Sequence, residues 1–400
     1  MGGQHMLEHW RAATPELTPV IRLLLLFSRV RLSQDHVARA HRLMKKVEDW
    51  EDFANRAADH FLAPLCLHHL VDFAEVPEVL ACRRALVPHV RKMTFHILKH
   101  AALQRRFVDQ HVVPLQCKYV VVKGRALAAR YYPDSNLRYA RDVDILIPRE
   151  CIDALILSAQ KDGYLVYPQL RPLSAMEAKI VSGNSAVVSL LGPDNIFLEV
   201  HAQLDKAGFL LDHRQVLENG SFQLVDGVDI GMPSTLDHFV YICLHHTKHF
   251  WSRLNWLADL DAIVQSPDFD EQATLAFARS RGLEATIRAC IAFYRACAEE
   301  APVEALSEDA EASDLLRACL VILGGGSESE FHMRPDRLTL DFNFAWQIPA
   351  GFRARQAMFR ALSLLKPSLH DYGTLKLPRS MYWAYFPIKP VLVGWRRLHR

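Results

Sequence analysis

Long apolar runs are missing from this chain of 400 residues. The longest near its start, Leu23 to Phe27, is closely flanked by charge and is too short for a membrane span or a signal-peptide core, so no transmembrane segment is expected. A strong charge of one sign is missing as well: 47 Lys and Arg against 45 Asp and Glu leave a net charge of +2 and a pI near 8.1. Proteins that hold nucleic acid usually carry a clearly basic domain or stripe, which disfavours nucleic acid as a substrate. Paired cysteines are lacking too. The eight present (66, 82, 117, 151, 243, 290, 297 and 319) are scattered without a CxxC spacing, most of them in apolar periodic segments, which suits buried thiols in a reducing cytoplasm. The run Gly324-Gly325-Gly326-Ser327 lacks both the Lys-Ser/Thr and the following helix start of a phosphate cradle, so it reads as a linker or loop. No internal repeat is evident.

What is present is an ordinary globular composition, 50% hydrophobic and 23% charged, enough to bury a sizeable core in two or three domains. Residues 1–111 are expected to form an N-terminal helical region. The leading Met1 to Met6 reads as a vector remnant, and from Thr18 the apolar residues recur at three and four, as in Trp50, Phe53, Ala57, Phe61 and Leu65. Glu75 to Glu78 reads as a loop or helix start, and Val79 to Gln116 as one or two further helices. Residues 112–232 are expected to be an α/β core: a strand at Tyr119 to Val122, a Lys123-Gly124 turn, a helix in ALAARYY, a strand from Asp142 to Ile147 and a helix from Glu150 to Asp162. A strand at Gly163 to Tyr167 and a hairpin joining Asn184–Leu191 to Ile196–His201 through Gly192-Pro193-Asp194-Asn195 complete it. Residues 233–400 read as a C-terminal helical region, with one helix from Leu236 to Val264, further helices at Gln272–Ala298 and Ala310–Leu323, and a Pro- and aromatic-rich tail from Leu365. A closing helix in that tail should pack on the body, although Lys389, Arg396, Arg397 and Arg400 would also suit a membrane surface or an acidic partner. The fold class is α+β, a small mixed sheet flanked by helical regions.

The chemistry gathers in the strand Asp142-Val143-Asp144-Ile145-Leu146-Ile147. Its period of two puts both carboxylates on one face and Val143, Ile145 and Ile147 on the other. Two acids held so close repel unless a cation sits between them, usually a divalent metal with oxygen ligands. By the same reasoning, replacing Asp144 with Asn is expected to relieve repulsion and leave stability level or higher. Glu199, between Leu198 and Val200 in the hairpin, supplies a third acid. For a lone Glu the ordinary reading is an edge residue facing water, but the acid pair upstream reverses that preference. Along the helix Leu236–Val264, Val240, Cys243, Leu244, Phe250, Leu254 and Leu257 share one face and His245, His246, His249, Arg253, Trp256 and Asp259 the other. That polar face reads as a solvated surface, as part of a His-x-x-His metal site, or as the wall of a cleft in which His246, His249, Arg253 and Asp259 meet the substrate opposite the acids.

The spacing of Lys123, Gly124, Leu127, Tyr132, Arg138, Asp142, Asp144 and Leu146 resembles the bacterial uncharacterised nucleotidyltransferase family of the nucleotidyltransferase superfamily. Glu199-Val200-His201 matches that family's acid-apolar-His strand, and His246 to Leu260 its second signature. Asp49-Trp50, Ala57 to His60 and Pro64-Leu65 resemble its helical lead-in. The resemblance implies Mg²⁺ (or Mn²⁺) on Asp142, Asp144 and Glu199, the three catalytic residues, and a nucleoside triphosphate as co-substrate, with ATP the expected one. It implies transfer of a nucleoside monophosphate to a small-molecule, peptide or sugar acceptor with release of pyrophosphate, as in bacterial natural-product biosynthesis. Lys123, Gly124, Arg138, Arg141 and His201 would hold the nucleotide. Where the superfamily has Gly-Ser, this chain has Lys123-Gly124 followed by Arg125, so grip on phosphate would come from charge rather than from a hydroxyl. Two other classes stand beside this reading. One is a catalytically degenerate fold acting as a binding or antitoxin-like protein, against which the three acids argue; the other is a metal-dependent phosphohydrolase drawing on the histidines from His245 to Asp259.

Overall fold

The computed structural model describes residues 17–193, 195–205, 208–298, 310–333 and 342–398. Met1 to Met6, Asp194 and Arg400 therefore lie outside the described residues, as do the side chains of Arg396 and Arg397. Contacts gather the described residues into two units, each assembled from three stretches. The first draws on Met1–Lys99, Gly124–Ala140 and Thr235–Ile348, the second on His100–Lys123, Arg141–Ser234 and Pro349–Arg400.

The first unit is helical among its described residues. Its opening helix, Pro19–Phe27, is set by Pro19 in the first turn and by the Thr18 hydroxyl, which accepts from the Ile21 N–H. Leu23 to Phe27 are buried, so the apolar run noted in the sequence is core. It packs on Glu284–Ala298, while the Val30 N–H just beyond it donates to Asp261 Oδ2 at 2.7 Å. Asp49 caps Trp50–Asp59, which buries Phe53 and Ala57 at the expected spacing.

Two expectations fail in this unit. The single helix from Leu236 to Val264 is two, Thr235–Lys248 and Asn255–Val264. Phe250 and Trp251 between them take left-handed φ values of 55° and 53°. Burial of the two rings outweighs helical continuity: both are under 3% exposed, Trp251 packs on Phe293, and its indole N–H donates to the Thr247 hydroxyl. The triglycine run is also not a loop but lies within the helix Ala310–Met333. Leu315 and Ile322 of that helix are fully buried and the helix packs on Glu284–Ala298, which offsets the roughly 1 kcal/mol that each glycine costs a helix.

The second unit carries the sheets. Strands β1 (Val120–Val121), β2 (Asp142–Leu146), β3 (Leu165–Val166), β4 (Val187–Leu191) and β5 (Phe197–His201) form one mixed sheet in the order β1-β2-β5-β4-β3. Only β2 and β5 run parallel. The antiparallel β4–β5 pair is the expected hairpin, and the helix expected after β2 is Arg149–Ala159. A second hairpin, β6 (Ser221–Val225) and β7 (Val228–Met232), turns at Asp226-Gly227, both with positive φ. Asp-Gly between alternating residues is a strong short-range hairpin signal. Gly231 on β7 approaches β1 so closely that a Cβ there would lie 2.0 Å from the Tyr119 carbonyl oxygen. Tyr385 and Leu392 of the closing helix Tyr385–Leu398 pack on Met176 and Ile180 of Ala175–Asn184, as expected of a tail that closes on the body. The whole is α+β. Among the described residues no helix is long and apolar enough to cross a membrane.

Candidate active site

The parallel register of β2 and β5 sets Asp144 opposite Glu199 and Leu146 opposite His201. Directly paired residues project to the same face, so Asp144 and Glu199 share one, with Asp142 and His201 two positions along their own strands. The core face takes Val143, Ile145, Leu198 and Val200, all buried, which fixes the register: a slip of one residue would turn these into water and the acids inward. The Val122 N–H donates to the Asp144 carbonyl, carrying the strand pairing to the foot of the Lys123 side chain.

The side chains converge on Asp144. Lys123 Nζ lies 3.0 Å from Asp144 Oδ1, and His201 Nε2 also lies 3.0 Å from that oxygen and 3.6 Å from Glu199 Oε2. Asp144, Lys123 and His201 are buried, whereas Glu199 is partly open to solvent. Burial works to raise the Asp144 carboxyl, but the Lys123 ammonium and His201 outweigh it and hold the acid down at about 2. Glu199 goes the opposite way, raised by burial and then by the Asp144 charge. The site thus keeps one firm carboxylate beside one that resists a second negative charge.

Asp144, Glu199 and His201 each offer a ligand atom within 4.8 Å of the others, the one group of three or more potential metal ligands among the described residues. Asp144 Oδ2 is buried with no hydrogen-bond partner there, a costly state for a carboxylate oxygen. An oxygen of this kind, beside a second carboxylate and an imidazole, fits a divalent cation. Asp142 shares the face, and its charge reaches Glu199, but its carboxylate is not within the cluster. His201, expected beside the nucleotide, is within it.

The remaining expected residues fall elsewhere. Gly124 adopts φ 69°, ψ −135°, outside the usual range of a residue with a side chain, and starts the helix Arg125–Tyr131. Arg125, in place of the superfamily's serine, donates to the Asn136 side chain. Arg141 is exposed just before β2. Arg138 and Asp259, expected at the phosphates and at the acceptor, hold each other within the first unit. Two guanidinium nitrogens reach the two carboxylate oxygens at 2.6 and 2.7 Å, the Tyr132 hydroxyl donates to the same carboxylate at 2.8 Å, and His246 Nε2 lies 3.7 Å away. All four side chains are buried. Burial would raise the Asp259 carboxyl, yet Arg138 and His246 bring it to about 2.

The residues drawn on one polar face of a long helix mostly meet across the break, but His246 and Asp259 among them are buried. His246 stacks on Trp256 at 4.6 Å and is fully buried, His249 sits 4.8 Å from the ring of His245, and Arg253 lies over Phe61 at 5.4 Å. The helix breaks at Phe250-Trp251, yet Trp256 and Asp259 beyond the break still reach His246. No His-x-x-His metal site forms there among the described residues. The stability expectation for Asp144 changes as well. Its nearest charge is the Lys123 ammonium, so removing its own would strand Lys123.

Neighbouring parallel strands that present acids on one face, with a lysine at the end of the adjoining strand, make a frame for holding a metal and a phosphate chain. The chain belongs to the uncharacterised nucleotidyltransferase family, whose sequence model matches residues 46–299. None of the curated proteins compared with it matches.

Proposed function

We propose that this protein is a metal-dependent nucleotidyltransferase that moves a nucleoside monophosphate from a triphosphate to a small-molecule, peptide or sugar acceptor, releasing pyrophosphate. The observation that carries the reading is the buried, unbonded Oδ2 of Asp144 beside Glu199 and His201. Asp144 and Glu199 would hold Mg²⁺ or Mn²⁺, with Asp142 at the start of the strand, and bound there the cation supplies charge that neutralises the phosphate oxygens.

The protein's own groups then divide the work. The acceptor oxygen attacks the α-phosphorus, the bond to the bridging oxygen breaks, and pyrophosphate carries that oxygen away. Glu199, partly open to solvent and with its carboxyl raised, is the group we assign to take the acceptor's proton. Lys123, 3.0 Å from Asp144, is the phosphate-side cation whose ammonium would serve the triphosphate, and Arg141 adds charge nearby in the chain. Arg138 acts through Asp259, steadying the segment between Gly124 and Ala140 that links β1 to β2.

The test is pyrophosphate release from each of the four triphosphates with Mg²⁺ or Mn²⁺, ATP first, followed by a search for acceptors by mass shift. Lys123→Ala should raise the nucleotide Kd about tenfold or more, the loss of one charge-assisted contact of roughly 1.5–3 kcal/mol. Phosphate release without pyrophosphate would replace transfer with hydrolysis, and nucleotide affinity untouched by Lys123→Ala would remove Lys123 from the site.

A further inference from the structure

The second unit contains a cavity of about 1020 Å³ that shares no residue with the acid cluster. Cys117 and Lys118, just before β1, meet Pro148 and Arg149, just after β2, because the two strands are antiparallel. Asp144 lies four positions back from Pro148, about 13 Å along an extended strand, and Lys123 lies beyond the far end of β1.

The lining is cationic: Lys118, Arg149, Lys179, His213 and Arg214 face Glu150 and Glu218. Lys179 is drawn to Asp153 at 3.7 Å. Arg149 makes no ion pair among the described residues, although the Glu150 charge reaches it. One of its terminal nitrogens donates to the carbonyls of Ser182 at 2.6 Å and Ser185 at 2.9 Å, which pins the guanidinium and leaves its other nitrogens unused among the described residues. Lys118 and Arg214 make no ion pair there, and His213 Nδ1 is buried without a partner. Burial lowers Arg149 against Tyr382 and Glu150; it lowers His213 too, where Arg214 and Arg149 add to it against Asp212 and Glu150. Lys366 is likewise pushed down by burial and by Arg149. Cations crowded in a partly desolvated hollow with few matching acids oppose folding unless an anion completes the set. A planar guanidinium held by backbone carbonyls is preorganised for a phosphate.

We propose that this cavity is a second ligand site that takes a phosphate-bearing small molecule, its phosphate held by Arg149 with Lys118 and Arg214. The volume admits a body as large as a nucleotide. Tyr382 supplies an aromatic wall, seated so tightly on Gly183 that a Cβ there would lie 2.7 Å from the tyrosine oxygen. Nothing in this assignment depends on the acid cluster being catalytic.

Calorimetric titration of the full chain in EDTA with inorganic phosphate, pyrophosphate and AMP tests it, since polyphosphate has little hold on the acids without metal. At least one probe should bind with a Kd below about 1 mM, and Lys118→Gln/Arg214→Gln, both exposed and so expected to fold, should weaken it about tenfold or more. Arg149→Gln should do the same, with circular dichroism reporting its folding, whereas Glu199→Gln should leave binding unchanged. AMP binding above inorganic phosphate assigns a phosphate ester, and the reverse assigns free phosphate. Absence of binding by all three probes, binding unaltered in the double variant, or binding lost in Glu199→Gln would overturn the assignment.

Discussion

Replacing Arg138 with Met should cost the first unit its stability before it costs the protein any nucleotide. Arg138 is 5% exposed and Asp259 fully buried, and the guanidinium meets both carboxylate oxygens. Without it, the carboxylate keeps the Tyr132 hydroxyl at 2.8 Å and His246 at 3.7 Å. Stranding one member of a buried pair costs about 3–5 kcal/mol, a large part of a total that is roughly 5–15 kcal/mol. Acid should reveal the same pair. Because the folded Asp259 carboxyl, at about 2, lies below its unfolded value, its contribution is complete above the unfolded value, near pH 4, and is lost as pH falls toward 2. Urea unfolding at neutral pH should therefore show the full loss in Arg138→Met, and acid unfolding of that variant should begin at higher pH than in the parent. The double variant Arg138→Met/Asp259→Leu should recover most of the loss, since apolar replacement of a whole buried pair is often neutral or better. An Arg138→Met protein as stable as its parent, but with nucleotide affinity reduced tenfold, would refute this reasoning and return Arg138 to the phosphates.

Asp144→Asn should abolish transfer and also lower stability by about 2–3 kcal/mol, because Lys123 loses its carboxylate in a buried place; activity assays and thermal melts on one preparation check both. Glu199→Gln should lose at least about a hundredfold in rate while its melting temperature holds or rises, since its raised carboxyl means that ionisation of this group opposes folding at neutral pH. A fall in melting temperature there would contradict the assignment. Mg²⁺ at about a hundred times its Kd should stabilise the parent by about 2.7 kcal/mol and leave Asp144→Asn unmoved, as read by urea unfolding. Gly231→Ala should cost several kcal/mol because its Cβ would collide with the Tyr119 backbone; unchanged unfolding would show that β7 yields easily.

The elements that set the acids were legible because their information is local. Alternation in Asp142 to Ile147 and in Phe197 to His201 gave both strands and the shared face, and Ser-to-Leu alternation before the Gly192 turn gave the hairpin. The Asp226-Gly227 hairpin was equally local and went unread. Other features carried no local mark. Phe250 and Trp251 turn left-handed because of what covers their rings, and nothing in their neighbours' spelling announces it. Arg138 finds its carboxylate 121 residues away, so a motif that resembles a phosphate grip from one side is a buried pair when both sides are seen. The family resemblance puts His201 near the right chemistry but beside the nucleotide; only the distance to Asp144 moves it among the acids.

The dependence of Pro19–Phe27 on partners far along the chain bears on how this protein is made. The Val30 N–H waits for Asp261, and the helix before it, though it packs on Gln34–Met44 close by, waits for Glu284–Ala298 to complete its cover. At roughly 5–20 residues per second, about 10–50 s of synthesis separate Phe27 from Asp261. Through that interval the four adjacent leucines, Leu23 to Leu26, have the nearby helices Gln34–Met44, Trp50–Asp59 and Ala63–His69 but not the whole surface that will cover them. Fragments that stop short of Asp261 therefore leave part of this helix uncovered, and should aggregate more than the full chain when expressed.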